Sequence, residues 1–148
     1  MDSATYRAQL RNVLDASTGH LIRRMREFIG APQPSASYVD FESIADPHGN
    51  DFPILVGLFD GDGATGTAKE RTFFHVVPFR LPPNLNPSAM DWGTLDASDE
   101  YDDVFFSWFR ECWVSAGGLN YNIPAFIGER DGFDWLNLSS GEWINRMK

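Results

Sequence analysis

Ser98 to Ala116 reads SDEYDDVFFSWFRECWVSA. Tyr101, Val104, Phe105, Trp108, Phe109, Cys112, Trp113 and Ala116 recur at spacings of three, four and seven, which predicts a helix with all eight on one stripe. Ser98 is the expected cap. Asp99, Glu100, Asp102 and Asp103 crowd the first turns, where the helix dipole favours negative charge. Gly117-Gly118 is the expected stop. A helix so apolar along one side needs a second layer to cover it.

The flanking sequence supplies strands for that layer. Upstream, Tyr38–Ile44 alternates polar and apolar residues like a half-exposed strand. Phe52–Phe59 and Thr72–Phe79 are apolar on both faces, like inner strands, and the three are expected to pair as a meander. Downstream, Ile123–Glu129 and Phe133–Leu138 flank Asp131-Gly132, a short-range hairpin signature. A short last helix is expected beyond them, with Ser139 and Glu142 as a capping box and Leu138 with Trp143 as its staple.

At the other end, Tyr6, Leu10, Val13, Leu14, Leu21, Met25 and Phe28 share one helical stripe. This predicts a single helix over roughly residues 3–29, straight or bent near Gly19, capped by Ser3 and stopped by Gly30. Residues 80–97, with Pro82, Pro83 and Pro87, read as a long loop. The expected fold class is α+β, in the order α-β-β-β-α-β-β-α: an antiparallel sheet of about five strands with two main helices packed on it. A length of 148 residues fits one domain.

Composition narrows the function classes. The formal net charge is −9, which argues against nucleic-acid binding by charge and against docking on anionic lipid. No apolar run has the length of a membrane span, and the N-terminal residues lack the pattern of a signal peptide, so a cytoplasmic location is expected. A single cysteine makes neither an internal disulfide nor a Cys-rich zinc site. The charge is uneven: residues 1–36 hold five Arg against Asp2, Asp15 and Glu27, a net of +2, leaving −11 for the remainder. Arg23, Arg24 and Arg26 of the first helix are therefore available to the acidic body or to a second copy of the chain, as a homodimer, although a solvated helix face is the simpler account.

Several motifs fail on inspection. Gly61-Asp-Gly-Ala-Thr-Gly66 has the G-x-G-x-x-G spacing, but only about five residues separate it from the next strand, too few for the crossover helix of a dinucleotide site. Asp60 onward lacks the calcium-loop residues at positions five, six and twelve. His20, His48 and His75 have no metal-ligand spacing, so no metal and no cofactor is expected. Cys112 sits on the apolar stripe as a core thiol.

What remains is acid beside aromatic. Asp91, Asp96, Asp99, Glu100, Asp102 and Asp103 fall within thirteen residues, next to Trp92 and Tyr101. Helix-dipole stabilisation explains two or three of these carboxylates; six so close together repel one another, as on a surface built to meet a basic partner. The expected role is a small protein-binding module for a basic protein, in one concrete form an immunity or inhibitor protein neutralising a toxic nuclease. Asp96, Asp99, Glu100, Asp102 and Asp103 would meet the partner's positive charges, and Trp92 would fill a pocket on it. The alternative is an enzyme or small-ligand binder with a pocket between sheet and helix, lined by Phe73, His75, Trp108 and Trp113, with His75 as general base.

Overall fold

Asp2, not Ser3, caps the first helix: its Oδ1 accepts the Thr5 N–H at 2.7 Å. Helix α1 (Ser3–Asp15) ends at a turn in which the Ser17 N–H donates to the Leu14 carbonyl at 2.9 Å, and α2 (Thr18–Gly30) follows. The expected single helix is therefore two. Ser17, Thr18 and Gly19 are weak helix formers in succession, and Ser17 leaves the helical region at φ −106°, ψ 1°. The stripe continues across the break all the same, with Tyr6, Leu10, Leu14, Leu21 and Met25 fully buried. The structure, a computed structural model, describes residues 2–31, 35–43, 53–61, 67–75, 82–85, 97–129 and 132–146.

Helix α3 (Ala97–Ser115) matches the periodicity that predicts it, although Ser98 lies inside it rather than at its cap. Phe105, Trp108, Phe109 and Trp113 are fully buried. The Trp108 Nε1–H donates to Thr18 Oγ1 at 2.9 Å, so the one polar atom of that indole is satisfied by α2.

The strands are β1 (Tyr38–Ser43), β2 (Pro53–Asp60), β3 (Thr67–His75), β4 (Ala125–Glu129), β5 (Asp134–Asn137) and β6 (Trp143–Asn145). They form one six-stranded sheet in the order β3-β2-β1-β4-β5-β6. The α+β class stands, but the sheet is mixed: β1 and β4 are parallel, and every other pair is antiparallel. A parallel neighbour needs a crossover of a dozen residues or more, and the chain between β3 and β4 carries α3, which supplies it. Two meanders, β1-β2-β3 and β4-β5-β6, thus join along the parallel pair. The observed order is α-α-β-β-β-α-β-β-β.

Two local expectations are corrected. Strand β3 starts at Thr67, five residues earlier than expected, so Lys69-Glu70-Arg71 belong to the strand; pairing with β2 extends it past the apolar run. The expected last helix is a turn and a sixth strand. Asn137 Oδ1 accepts the Ser139 and Ser140 N–H groups at 2.9 and 3.1 Å, and Gly141 takes φ +76°, which ends any helical path. The chain then returns beside β5, where Trp143-Ile144-Asn145 gain a strand partner.

Register sorts the residues by face. Val39 and Phe41 of β1, Ile54, Val56 and Leu58 of β2, Ala125 and Ile127 of β4, and Leu136 of β5 join the buried helix residues in one core. Phe41 anchors it, with ring centroids 5.2 Å from Phe109 and 5.6 Å from both Trp113 and Phe28. The opposite face carries Tyr38, Asp40, Phe59, Phe126, Trp135 and Arg146. Strand β1 is therefore buried on both faces over its first four residues, not half-exposed as its alternation suggested.

Candidate functional site

Charge and aromatic side chains meet in two places. One is a groove of about 670 Å³ where the N-terminal half of α3 passes over the β4–β5 turn and β6. Its walls carry Asp99, Glu100, Asp102 and Asp103 from α3, Glu129 from β4 and Asp134 from β5. Among the described residues, Arg7 of α1 is the one basic group lining it, so six carboxylates face one guanidinium. Phe106, Phe133 and Trp143 supply apolar wall. Phe133 is 57% exposed and Trp143 48%, and Trp143 covers Phe106 with ring centroids 5.7 Å apart at 51°. The two rings form an exposed apolar patch beside the acids.

Arg7 enters from the side. Its Nη1–H donates to Glu100 Oε2 at 2.7 Å and its Nη2–H to Asp103 Oδ2. The Glu100 carboxyl is held below its ordinary range, first by the Arg7 hydrogen bond and then by the Ser3 side chain. A second bridge, from Arg11 to Glu111, also links α1 to α3. These links come from Arg7 and Arg11; of the arginines expected to pair with the acidic body, Arg24 bridges Glu27 at 2.9 Å and Arg23 lies 3.2 Å from His20, both within α2. Beneath the groove the Tyr6 hydroxyl donates to the Leu85 carbonyl at 2.9 Å. Burial pushes the Tyr6 and Tyr101 hydroxyls well up in pKa, and the nearby Asp102 adds to both.

The second place is a nest on the opposite face of the sheet. Arg146 Nη1–H and Nη2–H donate to Asp40 Oδ2 and Oδ1 at 2.7 and 2.9 Å, a bidentate pair with side chains only 8% and 6% exposed. The guanidinium carbon lies 4.4 Å from the Trp135 ring centroid, 4.5 Å from Phe126 and 5.3 Å from Tyr38. Tyr38 stacks on Phe59 at 5.1 Å. Trp135 lies flat on the sheet because Gly128 is its neighbour: a Cβ there would stand 2.6 Å from the indole.

Of the expected partner-facing residues, Asp99, Glu100, Asp102 and Asp103 come together in the groove, with Glu100 and Asp103 bound to Arg7. Trp92 and Asp96 lie outside the described residues. Of the alternative pocket, Trp108 and Trp113 are fully buried core. The side chains of Phe73 and His75 lie outside the described part; by backbone register the two residues pair with Leu55 and Pro53. Cys112 is buried, and that burial pushes its thiol up to about 12, as an inert core thiol should behave. Among the described residues no group of His, Cys, Asp and Glu is arranged to hold a metal ion, and no helix is long and apolar enough to cross a membrane.

Sequence reading missed Arg7, Glu129, Phe133, Asp134 and Trp143 as groove residues. Phe133 had a signal, standing beside the hairpin turn. Trp143 was masked by its fit to a helix staple, and the nest had none, since Asp40 and Arg146 are 106 positions apart. No known protein family, curated protein or solved structure matches the chain.

Proposed function

We propose that the chain is a small protein-binding module whose groove accepts a basic segment of a partner protein. The observation that carries this reading is the joint presence, in one concavity and among the described residues, of six carboxylates beside one guanidinium and of two half-exposed aromatics, Phe133 and Trp143. The carboxylates steer a cationic partner in and set its orientation; the rings supply the desolvated contact that holds it. Phe133 and Trp143 offer anchoring rings beside the one expected at Trp92, which lies outside the described residues. An inhibitor or immunity protein that occludes a basic nuclease or other toxin in the cytoplasm is one concrete form, the acids standing in for phosphates.

A labelled peptide of alternating arginine and glycine tests the reading. It is expected to bind at low salt and to lose affinity steeply as ionic strength rises. Replacing Phe133 and Trp143 together by serine is expected to weaken binding by about tenfold, with circular dichroism confirming an intact fold. Binding indifferent both to salt and to the two aromatic positions would overturn the proposal.

A further inference from the structure

The nest and the groove are built from the same parts. In the nest, one carboxylate grips a guanidinium edge-on while Trp135 and Phe126 lie within 4.5 Å of its carbon. In the groove, Trp143 lies on Phe106 and leaves about half of its own surface open beside carboxylates, Asp134 of the neighbouring strand among them. Arg7 holds two acids of the rim, Glu100 and Asp103.

Resting on the binding role proposed above, we infer that the groove selects arginine over lysine: the partner's guanidinium stacks on Trp143 while its edge meets the carboxylates. The physical ground is hydration and shape. A guanidinium is planar and weakly hydrated, so it sheds water onto a ring face cheaply and still presents a fork of N–H donors along its edge. An ammonium is compact and strongly hydrated and gains only the charge. The ligand class is thus an arginine-bearing segment, and Trp143 is the residue that reads it.

The test uses the full chain and two peptides of equal length and charge, one alternating arginine with glycine and one lysine with glycine. The arginine peptide is expected to bind about fivefold or more tightly. Trp143→Leu keeps apolar cover over Phe106 but removes the ring face, and it should bring the two peptides to equal affinity by weakening the arginine peptide more than the lysine peptide. If Trp143→Leu fails to fold, Trp143→Ile, which also removes the ring face and suits a strand, takes its place and should abolish the preference in the same way. Equal affinity for both peptides, or a preference that survives loss of the ring at Trp143, overturns the inference and leaves the binding role standing. If neither peptide binds the native chain, the binding role itself fails, and the inference with it.

Discussion

The nest and the groove show what burial does to one chemical pair. Both hold an arginine against carboxylate, yet Arg146 and Asp40 are sealed between rings at 8% and 6% exposure, while Arg7 is 40% exposed at the side of an open concavity. In the nest both charges have left water, so each depends on the other, and the pair fastens β1 to the end of β6. Around the groove, water screens each contact, and the Arg7 bridges can be exchanged for others at little cost. The same chemistry therefore acts as a fastening on one face of the sheet and as a replaceable contact on the other.

That contrast fixes the expected order of effects. Asp40→Ala strands a buried guanidinium and should cost about 3–5 kcal/mol in urea unfolding; a loss below about 1 kcal/mol would make the nest no different from a surface pair. Tyr6→Phe sits between the extremes. It removes a neutral buried hydrogen bond to the Leu85 carbonyl and should cost about 1–2 kcal/mol by the same measurement. Arg7→Gln should have the smallest effect, under about 1 kcal/mol and fading in 1 M salt. Its pH dependence sharpens the point. The Glu100 carboxyl is lowered from its ordinary 4.5 in the folded chain, so its contribution is present above that value and is lost as pH falls below it. The thermal midpoints of the native chain and of Arg7→Gln should differ at neutral pH and converge in acid; a gap that widens on acidification reverses the assignment.

Much of the architecture was legible because local pattern and burial agree in it. The run from Tyr101 to Ala116 faces one core along its whole length, and β2 is apolar on both faces because it is an inner strand. Legibility failed where a distant partner outweighed the local signal. Lys69-Glu70-Arg71 look like a solvated turn exit but pair with β2. The Ser139–Glu142 capping signal misleads: Ser140, not Ser139, accepts the Glu142 N–H, at 3.1 Å within a turn, and pairing with β5 makes the following residues a strand. In the acidic cluster, four of the carboxylates were found by sequence; their aromatic companions Phe133 and Trp143 come from the next hairpin and were not.

The sequence by itself determined the α+β class, the long amphipathic helix with its acidic opening turns, and the meander of the first three strands. Each of these follows from side-chain period and turn residues, which act within a few residues. Only the tertiary structure decided that β1 and β4 run parallel, that Arg7 closes on Glu100 and Asp103, and that Arg146 reaches Asp40 between three rings. Those contacts join residues 86 to 106 positions apart, and a linear pattern carries no trace of them, because what selects them is the shared surface formed once sheet and helices have packed.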